Sequence, residues 1–389
     1  MSQDALMNTY GPRIAKLVRG EGCLLWDDEG NQYLDALSGI AVCGLGHSHP
    51  AITRAIAEQA GTLMHTSNLF AIDQQEKLGE RLRQLSGMDR VFFSNSGAEA
   101  NEAAIKIARK YGQDKGIHHP IIVTASGSFH GRTMATLSAT GNNKIKKGFE
   151  PLVPGFVHVP YNDVATLTQV VKSDSNIVAV MVEPIQGEGG INIPAEDYLP
   201  QLRELCDERG LLLILDEIQT GNGRAGKYFC YQWHDLLPDV VTTAKGLGNG
   251  LPIGACLARG AAAEVLNPGN HGTTFGGNPL CTHAALAVVN EVVDGGYIER
   301  AASLGETMLK QLQAKLSDCP RVKLVRGKGL LLGIELDQND LPVVAEAKKR
   351  GLIVNLTAGN VVRLLPPLIT TDAQADTIVD VISEVLHAL

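Results

Sequence analysis

Residues 211–220 read LLLILDEIQT, in which five aliphatic side chains run directly into two carboxylates, Asp216 and Glu217. An apolar run this continuous predicts a strand buried on both faces, and such strands belong to parallel sheets. An unpaired charge at a buried position is costly. The acids are therefore either solvated where the strand reaches the surface or paired with a group that meets them there. These ten residues leave both interpretations open.

The sequence around this stretch alternates helical segments with short apolar strands from about residue 50 to residue 281. Such alternation predicts an α/β domain with a doubly wound, mostly parallel sheet, whose ligands bind near the carboxyl ends of the strands. The predicted helices include 50–63 and 73–86, and the predicted strands are 89–93, 121–124, 156–159, 177–182, 211–215 and 239–243.

Two further segments flank this large domain of residues 51–281. Residues 1–50 contain a predicted hairpin at 24–37 and are expected to pack with a smaller α+β domain formed by residues 282–389. That small domain is predicted to hold helices at 298–317 and 341–351 and strands at 322–327, 330–336 and 361–365. The glycine-rich stretch GKGLLLG at 327–333 continues as a strand, so it predicts a hairpin rather than a dinucleotide-binding loop, which needs a helix after its glycines.

The composition limits the classes of partner. The chain has 389 residues and a formal net charge of −8, and its basic residues form no stripe, so neither nucleic acid nor an anionic membrane is an expected partner. The apolar runs are too short to span a bilayer, and the first residues lack the apolar stretch of a signal peptide. Seven scattered cysteines predict reduced thiols, and we therefore expect a cytoplasmic protein. His47 and His49 have no further ligands nearby in sequence, so no metal is expected.

A second strand end, SNSGAEANEAA at 94–104, predicts a strand, a turn and a helix. Ser96 is a favourable N-cap and Glu99 stands three residues later, which is the pattern of a capping box. Gly97 leaves the backbone N–H groups of the first turn uncovered. A helix N-terminus of this kind is either a phosphate site or simply a well-capped helix.

A third strand end carries a lysine. Lys245, in DVVTTAKGLGNG, follows a buried strand and precedes a flexible glycine loop, where an isolated lysine is usually a solvated residue. The distance in sequence from Asp216 leaves room for one crossover between neighbouring parallel strands, so both side chains are expected at one edge of the sheet. A phosphate cradle, a buried acid and a strand-end lysine are together what pyridoxal phosphate needs. Lys245 is then predicted to hold the cofactor aldehyde, and Asp216 to pair with the pyridine nitrogen.

Six blocks of the sequence resemble, in order, the signature motifs of class III pyridoxal-phosphate-dependent aminotransferases. They are SNSGAEANEAAIKIARKYG, GSFHGRTMATLSATG, EPIQGEGG, LDEIQTGNGRAGKYF, TTAKGLGNGLPIGA and HGTTFGGNPL. The resemblance covers nearly the whole chain and implies fold type I, pyridoxal 5'-phosphate as cofactor and a homodimer with shared active sites. LSGIAVCGLGHSHP and HTSNLF are most similar to the family members that act on N-acetylornithine and 2-oxoglutarate.

The resemblance also implies a set of cofactor contacts. Lys245 is expected to shuttle the proton, and Thr274 to reach the phosphate bound by a neighbouring subunit. The other expected cofactor residues are the phosphate loop Ser96, Gly97 and Ala98, the ring-stacking Phe129, and the turn Asp216, Glu217, Ile218 and Gln219, of which Gln219 meets the phenolic oxygen. His130, beside Phe129, is not expected to be catalytic.

The substrate residues implied by the resemblance form a carboxylate switch. Arg132 is expected to bind the remote carboxylate of either substrate, and Arg363 the α-carboxylate of 2-oxoglutarate or glutamate. Glu188 is expected to mask Arg363 during the first half-reaction and to swing away in the second. Thr273 is expected near the substrate, and Tyr10 at the entrance of the site.

The expected reaction transfers the δ-amino group of N2-acetyl-L-ornithine to 2-oxoglutarate, which gives N-acetyl-L-glutamate 5-semialdehyde and L-glutamate in arginine biosynthesis. Relatives that use succinylornithine, ornithine, 4-aminobutyrate or N-succinyl-diaminopimelate share the same residues and stay open as alternatives. A decarboxylase or aminomutase on the same fold, and a cofactor-binding regulator without catalysis, are two further alternatives.

Overall fold

The computed structural model describes residues 5–11 and 13–389. In chain order the strands are β1 (Leu17–Glu21), β2 (Leu24–Asp27), β3 (Gln32–Asp35), β4 (Arg90–Ser94), β5 (Ile121–Ala125), β6 (Phe156–Val159), β7 (Ile177–Val182), β8 (Leu212–Asp216), β9 (Val240–Thr243), β10 (Gly254–Ala258), β11 (Val322–Lys328), β12 (Leu331–Leu336), β13 (Leu352–Ile353), β14 (Asn355–Thr357) and β15 (Val361–Leu364).

The helices are α1 (Ser38–Ala41), α2 (Pro50–Ala60), α3 (Asp73–Ser86), α4 (Gly97–Asp114), α5 (Met134–Ala139), α6 (Val164–Ser173), α7 (Tyr198–Arg209), α8 (Pro279–Asp294), α9 (Tyr297–Lys315), α10 (Val343–Lys349) and α11 (Asp372–Ala388). No helix of the described ranges is both long and apolar enough to cross a membrane.

A seven-stranded sheet in the order β4-β10-β9-β8-β7-β5-β6 forms the centre of the larger part of the molecule. Strands β9, β8, β7, β5 and β6 run parallel, which confirms the predicted mostly parallel sheet. All residues of β7 and β8 are buried, as the continuous apolar runs predict. Because these strands point the same way, their carboxyl ends share one edge of the sheet.

Strand β10 was not predicted from the sequence. Its residues, GACLA, are short and mostly small, and they lack the β-branched and aromatic side chains typical of strands. It runs antiparallel to both β4 and β9 and lies between them. Gly254 is required there because a Cβ at this position would come within 2.4 Å of the Ser96 carbonyl oxygen. Because Gly254 pairs with Ser94 and Ala255 with Thr243, β4 and β9 end at the same edge of the sheet.

Two smaller sheets lie outside the central one. One has the order β11-β12-β15-β14 and is antiparallel, and its β11–β12 pair confirms the hairpin predicted around 327–333. The other consists of β1, β2 and β3, which contains the hairpin predicted at 24–37, with β13 added parallel to β3. This pairing joins the first 50 residues to the C-terminal part of the chain. Helix α8 packs into both main cores, with Cys281, Ala285 and Val289 in one and Val288 and Val292 in the other.

Candidate active site

A cavity of about 460 Å³ opens where β8, β9 and their neighbours end. Lys245 and Asp216, which the sequence predicted at one sheet edge, both line it. The other predicted site residues on its wall are Ser96, Gly97, Ala98, Phe129, Arg132, Glu188, Ile218 and Gln219.

Lys245 follows β9 and opens a short 3₁₀ turn, Lys245–Leu247. Its φ of 43° lies in the left-handed region, which is uncommon for a residue with a Cβ and costs backbone strain. Burial lowers the pKa of its ammonium group, and the nearby Glu188 carboxylate acts in the opposite direction. A lysine whose pKa is lowered supplies more of the neutral amine that acts as nucleophile and base.

Asp216 ends β8 and is only 4% exposed, so its charge must be paired. Its Oδ2 accepts hydrogen bonds from Asn101 Nδ2 and from His130 Nδ1, each at 2.8 Å, and its Oδ1 accepts from the Ile218 N–H at 3.1 Å. The Thr242 hydroxyl in turn donates to Asn101 Oδ1 at 2.7 Å. The acids at the end of the opening stretch are thus buried and paired, rather than solvated.

Neither His130 nor Asn101 was predicted as a partner of Asp216. The sequence signals for them were the position of His130 beside Phe129 and that of Asn101 on the buried face of α4. Burial lowers the pKa of His130, but the hydrogen bond and charge of Asp216 outweigh burial, so the pKa is raised. The His130 Nε2 atom is buried and has no hydrogen-bond partner within residues 5–11 and 13–389. Since His130 lines the cavity, a polar ligand bound there can supply the missing hydrogen-bond partner of this atom.

The start of α4 forms the anion-binding end of the cavity. Ser96 caps the helix, because its Oγ accepts from the Glu99 N–H at 3.2 Å. The second bond of the predicted capping box has a different donor. Glu99 Oε2 accepts from the N–H of Asn95, at 2.6 Å, and not from that of Ser96. The first N–H groups of a helix have no intrahelical partner, so this turn can bind a phosphate. Gly97 is needed since a Cβ would lie 2.6 Å from the Ile218 side chain.

Glu217 lies outside the cavity wall, in contrast to its expected contact with the cofactor. Its Oε1 accepts from the Tyr231 N–H at 2.9 Å, and its Oε2 accepts from the Thr220 hydroxyl. Burial raises the pKa of this carboxyl to about 7. Its side chain therefore fixes the polar turn after β8 and faces away from the ligand space.

Glu188 and Arg363 form an ion pair of 2.5 Å between Oε1 and Nη1. The Arg363 side chain is 1% exposed and that of Glu188 is 33% exposed. Gln219 lies between them, donating to Glu188 Oε1 at 3.3 Å and accepting from Arg363 Nη1 at 3.2 Å. Asn355 Oδ1 accepts from Arg363 Nε at 3.2 Å. Burial alone raises the pKa of Glu188, but the Arg363 guanidinium holds it below its ordinary value.

Arg132 is exposed on the cavity wall, with its guanidinium carbon 5.7 Å from the centre of the Phe129 ring. The Phe129 N–H donates to Glu183 Oε2 at 3.1 Å. Glu183 also lines the cavity and was not singled out in the sequence, although it opens the EPIQGEGG block directly after β7. Burial raises its pKa to about 7, and the charge of Asp216 adds to that effect.

Besides Glu217, four predicted residues are not on the cavity wall: Arg363, which reaches it only through Glu188 and Gln219, and Thr273, Thr274 and Tyr10. Thr273 Oγ1 accepts from Asn95 Nδ2 at 3.2 Å, one residue from the phosphate loop. Thr274 is exposed, and its predicted role concerns a neighbouring subunit. Tyr10 is 76% exposed, so its place at the entrance stays a prediction.

The donor set fits pyridoxal 5'-phosphate: a helix start for the phosphate, a buried carboxylate for a protonated ring nitrogen, and a lysine of lowered pKa for the aldehyde. The mostly parallel sheet and this site define a fold-type-I pyridoxal-phosphate enzyme. The chain belongs to the class-III aminotransferase family, whose model matches residues 6–386. It is a transaminase with pyridoxal 5'-phosphate as its cofactor.

The chain is similar to other members of that family over nearly its full length. It is 51% identical to an acetylornithine aminotransferase of Nitrosomonas europaea over 98% of this chain and 97% of the relative. Among solved structures, an ornithine aminotransferase of Toxoplasma gondii superposes with a TM-score of 0.96 at 35% identity, covering 99% of this chain and 93% of the other. An acetylornithine aminotransferase of Elizabethkingia anophelis gives 0.88 at 36% identity, covering 98% and 96%.

Proposed function

We propose that the enzyme transfers the δ-amino group of N2-acetyl-L-ornithine to 2-oxoglutarate, as a step of arginine biosynthesis. The products are N-acetyl-L-glutamate 5-semialdehyde and L-glutamate. The relative from Nitrosomonas europaea, at 51% identity, is named an acetylornithine aminotransferase, which supports acetylornithine as the amine donor. Within the molecule, the observation that carries the proposal is the Glu188–Arg363 ion pair beside Lys245.

The two substrates place opposite demands on this pair. In acetylornithine, the carbon that bears the transferred amine carries no carboxylate, so this substrate needs no unpaired cation beside the reacting carbon. The reacting carbon of 2-oxoglutarate bears a carboxylate, which needs a cation there. Glu188 can cover Arg363 in the first case and leave in the second, because a third of its side chain already reaches solvent while Arg363 is fixed and buried.

The exchange is balanced in charge. A buried guanidinium without a counterion is strongly unfavourable. When Glu188 leaves, an incoming α-carboxylate takes its place, and the planar guanidinium can bind that group through two parallel hydrogen bonds. We assign the remote carboxylate of either substrate to Arg132, which is exposed on the cavity wall.

The remaining residues handle the cofactor and the proton. When bound, the cofactor ring takes up the electron pair left by removal of a proton from the amine-bearing carbon. We assign that proton to Lys245 Nζ, whose lowered pKa keeps part of the amine neutral. Asp216, fixed by Asn101 and His130, keeps a protonated ring nitrogen in place.

We also propose that the enzyme is a homodimer with shared sites. Residues 63–70 join the 273–277 loop, since Asn68 Nδ2 donates to the Gly276 carbonyl at 3.0 Å. Together they present a group of exposed apolar side chains, namely Leu63, Met64, Leu69, Phe70 and Phe275, at 46–88% exposure. An apolar face of this kind, next to Thr274, suits a second copy of the chain. Analytical ultracentrifugation tests this proposal, and sedimentation of the unaltered protein as a monomer contradicts it.

A cytoplasmic location is part of the same proposal, supported by the seven cysteines, all of which are free thiols.

The amine-donor profile tests the proposed substrate. We expect kcat/KM with 2-oxoglutarate as acceptor to be highest for N-acetylornithine among acetylornithine, succinylornithine, ornithine, 4-aminobutyrate and N-succinyl-diaminopimelate. A preference for an unacylated amine contradicts the substrate assignment. Turnover of the amine without formation of glutamate indicates a decarboxylase or aminomutase instead. If no amine changes the absorbance of the bound cofactor, the protein is a cofactor-binding regulator without catalysis.

A further inference from the structure

Glu183 is a buried acid of the cavity to which neither cofactor binding nor the carboxylate switch assigns a role. It directly follows β7 and is 6% exposed. Its Oε2 accepts from the Phe129 N–H at 3.1 Å, and its Oε1 accepts from the Gly187 N–H at 3.1 Å. One carboxylate therefore holds two loops, each through a backbone N–H.

The two loops carry different functions. We name residues 126–132 the ring loop, since it bears Phe129 and Arg132, and residues 187–190 the switch loop, since it bears Glu188. The loops approach closely, because a Cβ on Gly189 would come within 2.6 Å of the Gly127 carbonyl oxygen.

Other contacts place the switch loop between the two parts of the molecule. Gln186, just before it, donates from Nε2 to the Ser126 carbonyl at 2.8 Å. On the far side, Thr357 Oγ1 donates to the Glu188 carbonyl at 2.7 Å, and Arg326 Nη2 donates to the Gly190 carbonyl at 2.7 Å. The switch loop is thus bonded to the antiparallel sheet on one side and to the ring loop on the other.

We propose that Glu183 is a positioning residue that keeps the ring loop and the switch loop in one register, so that Glu188 and Arg132 hold a fixed spacing across the cavity. A carboxylate suits this task since both of its oxygens accept hydrogen bonds, whereas an amide offers one oxygen and one donor. The consequence for substrate selectivity rests on the proposed function, but the coupling of the two loops does not.

Hydrogen–deuterium exchange of Glu183→Gln, with and without pyridoxal phosphate, tests the coupling. In the variant one of the two N–H groups keeps an acceptor and the other faces an amide N–H. If the loops are coupled, exchange rises in both by roughly 10- to 100-fold, the effect of losing a hydrogen bond to a charged group. If Glu183 serves each loop separately, only one segment changes, and the proposal is wrong.

Two further variants complete the experiment. Glu196→Gln is the control, because Glu196 is an exposed acid a few residues beyond the switch loop, and it is expected to leave both segments unchanged. Glu183→Asp keeps the charge but is one methylene shorter. We expect its exchange rates in both loops to lie between those of the unaltered protein and those of Glu183→Gln. A uniform rise that includes the strand 177–182 in both Glu183 variants indicates a general loss of stability and overturns the proposal.

Selectivity supplies a second readout. We expect Glu183→Gln to change the ratio of kcat/KM for acetylornithine to that for glutamate, because Glu188 and Arg132 lose their fixed spacing. An unchanged ratio with raised exchange in both loops refutes the link to the switch. A donor profile that favours another amine in the unaltered enzyme refutes the proposed function, while the exchange result still decides the coupling.

Discussion

Removal of the Glu188 carboxylate is the most direct perturbation of the proposed switch. In Glu188→Ala, Arg363 loses its carboxylate partner and keeps its hydrogen bonds to two neutral side chains, those of Gln219 and Asn355. Glutamate and 2-oxoglutarate then no longer compete with an internal carboxylate for the guanidinium. Acetylornithine gains nothing, since its reacting carbon bears no carboxylate. We therefore expect selectivity to shift toward glutamate.

The structure sets the size of the effect. Truncating one partner of a buried, hydrogen-bonded charge pair costs about 2–5 kcal/mol. Arg363 is fully buried, but a third of the Glu188 side chain is exposed, so we take the lower part of that range, about 2–3 kcal/mol. At 1.36 kcal/mol for each factor of ten, the ratio of kcat/KM for glutamate to that for acetylornithine should rise roughly 30- to 150-fold.

Single-turnover half-reactions measure this ratio most cleanly, because each amine donor is followed separately through the absorbance of the bound cofactor. Asp337→Ala is the matched control. Asp337 pairs with Arg321 at 3.3 Å and its side chain is 33% exposed, as is that of Glu188, but neither residue lines the cavity. We expect that variant to leave the ratio unchanged. A ratio that Glu188→Ala leaves unaltered, or an equal fall for both donors, refutes the switch.

Three other predictions concern the lysine, the subunit contact and a structural ion pair. Lys245→Ala should retain cofactor through its phosphate and ring contacts after gel filtration but lose turnover by roughly a thousandfold or more, and near-normal turnover would overturn its assignment. Thr274→Val should weaken cofactor binding roughly tenfold, by titration, with the dimer intact in sedimentation, and unchanged binding would count against an intersubunit contact. The His47 Nε2–H donates to the buried Asp35 carboxylate at 2.7 Å, which raises the pKa of His47 from 6.5 to about 9. This stabilisation is complete below pH 6.5 and is lost as the pH rises through 9, so the free energy of unfolding in urea should fall by about 2 kcal/mol across that interval after allowance for solvent screening. The fall should be about 2 kcal/mol smaller in His47→Asn than in the unaltered protein and should keep its full size in His118→Asn, whose imidazole is exposed. A fall of unreduced size in His47→Asn assigns the pH dependence to another group.

The local elements could be predicted from the sequence because their signals are local. Helix α3 spans the predicted residues, 73–86, and β7 spans the predicted 177–182. A continuous apolar run or a helical period is created by neighbours within one or two turns, so no distant contact is needed to see it. Lys245 and Asp216 could be placed together by the same means, because the carboxyl ends of neighbouring parallel strands must share an edge.

The capping box shows where local reasoning ends. The spacing of Ser96 and Glu99 predicted both bonds, and the Ser96 cap formed as expected. Glu99 instead bonds Asn95, whose side chain also contacts Thr273 from 178 residues away in sequence. The carboxylate therefore has a neighbouring N–H as its partner, in a turn that also contacts a distant loop.

The sequence by itself determined that this chain forms a mostly parallel sheet with a lysine and an acid at one edge. Only the tertiary structure decided that β10 lies between β4 and β9, that Asn101 and His130 fix Asp216, and that Glu183 joins two loops. The physical reason is that periodicity records which face of an element is buried, whereas a side-chain hydrogen bond depends on where two distant elements stop relative to each other. A difference of one ångström decides such a bond, and no spacing within a single segment records that distance.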